Sequence, residues 1–191
     1  MRNRIGAIGQ EKLIRNIISC MNVSGISYNW LDTNSNNWYK KPDNDAGLEK
    51  IIKALNWCNE QGSRLLIFNR TIKTVKKNVD ICLFDGNISS YDMLDKPQEL
   101  KTGIMFGELK GGIDPAGADE HWKTGNTALI RIRTSFEAEG HSVKTSFVGA
   151  AIAKAMAEEI FDQLYRGILS NAANLTDNNQ LTEYCNWVLQ L

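Results

Sequence analysis

Glu108 and Lys110 flank a single residue in the run Gly107-Glu108-Leu109-Lys110-Gly111-Gly112, and Asp80 stands near the head of the preceding apolar run, Val79 to Phe84. Side chains alternate along a strand with period 2, so on a strand Glu108 and Lys110 share a face. An acid on a neighbouring strand can then join them. Two carboxylates and an ammonium converging at a sheet edge can hold a divalent cation against a phosphate ester. Carboxylate oxygens suit magnesium, and the Leu109 carbonyl can add a further oxygen. A cation held there makes water a usable nucleophile near neutral pH. Lys110 can orient that water or offset charge that builds up on the phosphate. Glu-x-Lys is also a common surface pair. Gly111-Gly112 favours the site reading here, because it lets another backbone approach closely.

His121 lies at the start of the helix that follows. A neutral imidazole near the cation could take a proton from the attacking water, and a lone histidine there could equally brace the loop. Lys73-Thr74-Val75-Lys76-Lys77-Asn78 leads into the Asp80 segment. Such a basic run either contacts phosphates or is a solvated loop. Trp57 and Trp122 are expected in the core rather than as stacking platforms.

These residues need elements to position them. Leu13, Ile14, Ile17, Ile18 and Met21 have helical spacing, and residues 31–47 read as a loop. Leu48, Ile51, Ile52, Leu55 and Cys58 predict a second helix, ended by Gly62. Residues 64–68, 79–84 and 103–110 predict strands, with a polar connection over 86–101. A loop over 111–119 leads to a helix over about 120–136. A fourth strand over 142–148 precedes a helix carrying Ile152, Met156, Ile160, Leu164 and Ile168 and ending near Gly167, and a short helix follows over 180–191. Helix, three strands, helix, strand, helix predicts an α/β fold, a central mixed β-sheet flanked by helices.

The bulk numbers exclude several classes. Lys and Arg total 22 and Asp and Glu total 22, so bulk charge does not drive nucleic-acid coating, although Lys73, Lys76, Lys77, Lys123, Arg131 and Arg133 crowd near the acids. No apolar run approaches the ~18–20 residues of a membrane span. Met1-Arg2-Asn3-Arg4-Ile5 leads into an amphipathic stretch, so no secretion signal and a cytoplasmic location are expected. Cys20, Cys58, Cys82 and Cys185 are scattered in apolar contexts and are expected to be buried free thiols. With two histidines, a His/Cys zinc site is not expected.

The stretch Glu108-Leu109-Lys110-Gly111-Gly112-Ile113-Asp114-Pro115-Ala116-Gly117-Ala118-Asp119-Glu120-His121-Trp122-Lys123-Thr124 resembles the catalytic segment of type II restriction endonucleases of the AvaI/BsoBI group. That group belongs to the PD-(D/E)xK nuclease superfamily. Lys77-Asn78-Val79-Asp80 is similar to its segment around the first metal-binding acid. The resemblance runs from about residue 44 to the C-terminus and is most specific in 108–124.

The resemblance implies a PD-(D/E)xK restriction-endonuclease-like core that hydrolyses double-stranded DNA at a short recognition sequence with Mg2+, as a homodimer. It implies Asp80, Glu108 and the Leu109 carbonyl as metal ligands, Lys110 as the catalytic lysine and His121 as the base. Lys77, Asp114, Glu120, Lys123, Arg131 and Lys144 are the DNA-contact candidates, and Asp114 could accept from a cytosine amino group. The expected organisation is one catalytic domain over 1–191: helix and loop over 1–43, nuclease core over 44–169 and a helical segment over 170–191. The helical DNA-gripping region that the group carries ahead of this domain is expected to be absent. A repair or junction nuclease of the same superfamily, and a non-cleaving DNA-binding remnant, are the alternatives.

Overall fold

The structure, a computed structural model, describes residues 4–112 and 117–191. The stripe Leu13, Ile14, Ile17, Ile18 and Met21 forms the buried face of α1 (Arg4–Val23). The chain continues through β1 (Tyr28–Asp32), β2 (Trp38–Lys40), a 3-10 turn (Leu48–Lys50), β3 (Ile52–Asn59), β4 (Gly62–Ile72) and β5 (Lys77–Asp85). Then come α2 (Ser90–Met93), α3 (Lys96–Thr102), β6 (Gly103–Lys110), α4 (Ala118–Glu137), β7 (Lys144–Gly149), α5 (Lys154–Tyr165), β8 (Asn171–Asn174) and α6 (Asn178–Gln190).

All these strands join one 8-stranded sheet in the order β2-β1-β3-β4-β5-β6-β7-β8. Pairing is antiparallel from β2 to β6 and parallel from β6 to β8, so the sheet is mixed as expected. Helices cover both faces. On one, α1 and α6 pack Ile17, Ile18, Tyr184 and Val188 against Leu66, Phe68, Ile81, Leu83 and Met105. On the other, α4 and α5 pack Trp122, Leu129, Phe136 and Ile160 against Leu65, Ile67, Cys82, Phe84 and Phe106. Trp57 and Trp122, 2% and 1% exposed, are core residues.

Five expectations change. Residues 48–58 do not form a helix: after the 3-10 turn they are β3, held between β1 and β4. Its Leu55 and Trp57 enter one core layer and Ala54 the other, and a strand covered on both faces loses the alternation that would mark it as a strand. Residues 31–47 are not all loop, because β1 and β2 form a hairpin there. Asp32 accepts from the backbone N–H of Asn34 at 3.0 Å, and Asn36 turns the chain with φ 55. The 86–101 connection contains α2 and α3, the latter capped by Asp95, which accepts from Gln98 N at 3.0 Å. Asn171–Asn174, with no apolar run, is the edge strand β8. Of the cysteines, Cys58 is exposed and the other three are buried.

The β4–β5 turn is anchored from beneath. Glu99 of α3, 0% exposed, accepts from Lys73 N and Thr74 N at 2.9 Å each and from Thr74 Oγ1 at 3.0 Å. A carboxylate with that many donors is stable in the interior, and removing it strands them. Glu99→Ala is therefore expected to lower stability by about 3 kcal/mol. Urea unfolding checks this, with the midpoint falling at unchanged slope. An unshifted midpoint would contradict the anchor.

Candidate active site

The site forms where two strands part. β5 and β6 pair from Phe84↔Gly103 to Ile81↔Gly107 and no further. The Lys110 carbonyl accepts from Ala150 N at 2.8 Å, so even-numbered residues of β6 bond towards β7. Leu109 turns its N–H and C=O the other way, towards β5. There the Leu109 N–H meets a side chain, donating to Asp80 Oδ2 at 2.9 Å.

Glu108 and Lys110 continue the row of Phe106 that faces α4, and Asp80 joins them across the end of the β5–β6 pairing through the Leu109 N–H. Lys110 Nζ donates to Glu108 Oε2 at 2.9 Å. Glu108 is 5% exposed. Burial first, and the neighbouring Asp80 charge second, push its carboxyl from 4.5 up to about 7, while Lys110 and Arg131 pull it back. Two acids held this close, with a backbone carbonyl turned to the same side, fit a divalent oxygen-binding cation. Among the described residues there is no cluster of three or more His, Cys, Asp or Glu side chains that could hold an ion. A cation here would have two carboxylates and backbone oxygen, with water to complete its shell, a set that suits a hard divalent cation.

Both glycines after Lys110 are used for close approach. A Cβ on Gly9 of α1 would meet Gly111 Cα at 2.9 Å, and a Cβ on Gly112 would run into the His121 ring. His121 thus lies against the strand extension that carries Glu108 and Lys110. One turn along α4, a Cβ on Gly125 would come within 3.7 Å of Lys110 Cε, so the same helix face covers the lysine. The start of α4 is tied to α5 by Glu159, which accepts from Trp122 Nε1 at 2.7 Å and from Asn126 Nδ2 at 3.2 Å.

The DNA-contact candidates are less concentrated. Glu120 and Lys123 are exposed on the first turns of α4, with Lys123 bonded to Asp119 at 2.6 Å. Lys77 is exposed at the start of β5, in the turn that Glu99 anchors. Arg131 is exposed farther along α4. Lys144 is not brought to the cluster: it is opposite Met105, whereas Lys110 is opposite Gly149 at the other end of β7. Asp114 lies outside the described residues. Sequence reasoning missed Gly9, Glu99 and Glu159, whose roles depend on partners far away in the chain.

A central strand pair that parts over two acids and a lysine, covered by a helix that brings a histidine, is an arrangement that fits a nuclease-like site on a mixed α/β sheet. The family described as restriction endonuclease BsobI matches residues 1–191. The chain is 49% identical over 194 residues to the type II restriction enzyme BsoBI of Geobacillus stearothermophilus. It is 49% identical over 193 residues to the type II restriction enzymes AvaI of Nostoc sp. strain PCC 7120 and of Anabaena variabilis. The matches cover 100% of this chain and 60% of each relative, so the chain spans about three-fifths of their length. The chain belongs to the BsobI restriction endonuclease family.

The raised Glu108 carboxyl has a measurable consequence. In the cation-free protein the folded state holds the Glu108 proton up to about 7, whereas the unfolded chain releases it near 4.5. The folded state binds more protons in that window, so stability falls as pH rises from 4.5 to about 7 and levels off above. The full loss is about 3 kcal/mol. Glu108→Gln is expected to remove this part of the pH dependence. Denaturant titrations in EDTA across the window check it, and parallel pH profiles for the two proteins would contradict it.

Proposed function

We propose that this chain carries the catalytic part of a type II site-specific deoxyribonuclease, which hydrolyses phosphodiester bonds in double-stranded DNA with Mg2+. The observation that carries the reading is the convergence of Asp80, Glu108 and Lys110 beside the parted strands. The type II restriction enzymes among its relatives favour this over a repair or junction nuclease. Asp80, Glu108 and the Leu109 carbonyl would hold the cation. Mg2+, when bound, supplies Lewis-acid polarisation of the scissile phosphate and charge for the leaving oxygen.

The chain's own residues would do the rest. Lys110 offers an ammonium beside the position of the attacking water and offsets negative charge as the phosphorus gains a fifth oxygen. His121, neutral, accepts the proton of that water. Water attacks in line, the bond from phosphorus to the 3′ oxygen breaks, and a 5′-phosphate results. Lys77, Lys123 and Arg131 would contact phosphates, while Asp114 and Glu120 could accept from base edges. Palindromic DNA and one centre per strand favour a homodimer. The free cysteines favour the cytoplasm. Among the described residues no helix is long and apolar enough to cross a membrane.

Incubation of plasmid DNA with the protein and Mg2+ is expected to give discrete fragments, and Glu108→Gln none. His121→Ala is expected to cleave about 10²–10⁴-fold more slowly with DNA binding kept. Affinity for DNA is expected to fall steeply with salt despite zero net charge. Folded protein that never cleaves with any divalent cation would leave a DNA-binding remnant. Wild-type rates in a folded His121→Ala would remove the histidine from the reaction.

A further inference from the structure

Asp80 stands at a break in the ladder on both sides. β4 and β5 pair at Phe68↔Ile81 and again at Arg70↔Val79, which puts Asn69 across from Asp80 without a registered pair between them. On the other side the pairing of β5 with β6 has already ended at Ile81. Among the described residues Asp80 thus has no register partner on either neighbouring strand.

The cause lies in Asn69. Its φ is 53, the left-handed region, inside a strand otherwise extended. Asparagine tolerates that region better than other side chains, and β-branched residues avoid it. A left-handed residue reverses the face alternation of its strand, and the core layers record the reversal. In β4, Leu65 and Ile67 face α4 while Leu66 and Phe68 face α1. Beyond Asn69 the even-numbered Ile72 lies in the α4 layer. β5 reverses at the same level: Ile81 and Leu83 face α1, yet the odd-numbered Val79 is in the α4 layer. The two strands roll together at Asn69 and Asp80. The roll carries Asp80 out of regular pairing and lets its carboxylate reach the Leu109 N–H at 2.9 Å.

The rolled state is also fixed from the α1 side. Asn69 Nδ2 donates to Gln10 Oε1 of α1, next to Gly9, whose backbone lies against Gly111. One dipeptide of α1 therefore touches β4 at Asn69 and the backbone just past the end of β6 at Gly111, the strands on either side of β5.

We propose that Asn69 is a positioning residue for the proposed metal ligand Asp80: its left-handed backbone sets the roll that aims the Asp80 carboxylate at Leu109 and Glu108. The proposal rests on the metal-site reading above. The backbone carries the effect and the Gln10 bond only fixes the side chain, so glycine should replace asparagine and valine should not.

Two readouts separate the cases, both on the protein without DNA: hydrogen exchange at the Leu109 amide in cation-free protein, and Mn2+ affinity by calorimetry. Asp80→Ala is the reference and should speed Leu109 exchange by about tenfold or more. Asn69→Gly should keep slow exchange and Mn2+ affinity within about threefold of wild type, since glycine adopts the conformation freely. Asn69→Val, folded by circular dichroism, should exchange like Asp80→Ala and bind Mn2+ about tenfold or more weakly. If the valine variant does not fold, Asn69→Ala is judged by the same two readouts. Slow Leu109 exchange and wild-type Mn2+ affinity in a folded valine or alanine variant would overturn the proposal. So would fast exchange in folded Asn69→Gly. If Asp80→Ala itself leaves Mn2+ affinity unchanged, the metal-site reading fails, and exchange at Leu109 still judges Asn69.

Discussion

β5 and β6 stop pairing at Ile81 and Gly107, and the chemistry of this protein depends on that parting. A fully paired β6 would spend the Leu109 N–H and C=O on a backbone partner. Parted, it leaves them to a side chain, and Asp80 takes the N–H. The same parting brings the half-buried Asp80 beside the buried Glu108. Burial first and the neighbouring Asp80 charge second make the Glu108 carboxyl hold its proton up to about 7. An acid under that load has most to gain from a divalent cation, which replaces the proton and cancels the repulsion. Lys110, at 2.9 Å from Glu108, offsets only part of it.

Close packing holds the opening in place. Gly9 against Gly111 and Gly112 against the His121 ring are contacts that no side chain could allow, so α1 and α4 grip the end of β6 from opposite faces. Ser146 Oγ fills the space beside Gly107 in the same way, 2.5 Å from where a Cβ would stand. Phe147 lies edge-on to Trp122 with ring centroids 5.0 Å apart, beneath Gly125. Interiors this dense do not deform gradually, so the positions of His121 and Lys110 follow from the packing of α4.

The catalytic end of the fold was legible because its local signals agree. Gly103 to Lys110 is apolar up to a polar tip, so β6 was found to the residue, and α4 was found within two residues at its start and one at its end despite Gly125. Alternation put Glu108 and Lys110 on one face, whereas bringing Asp80 to them rested on the family resemblance. The N-terminal half misled for a physical reason: β3 is central and wet on neither face, so Ile51, Ile52 and Leu55 read as a helical stripe. The β1–β2 hairpin was hidden by a turn rich in Asn, Asp and Ser, and β8 by its lack of apolar residues. Glu99, Glu159 and Gly9 act only through partners distant in sequence. Asn69 did leave a trace, an αL-tolerant residue interrupting an apolar strand, but its meaning depends on Asp80 being opposite.

The central claim is that Asp80 and Glu108 share one divalent cation beside Leu109. Crystals soaked in Mn2+ test it most directly through anomalous scattering. The account predicts a single strong anomalous peak within coordination distance, about 2.1–2.3 Å, of a carboxylate oxygen of each acid and of the Leu109 carbonyl oxygen. A peak touching only one of the acids, or Mn2+ bound elsewhere with this corner empty, would contradict it.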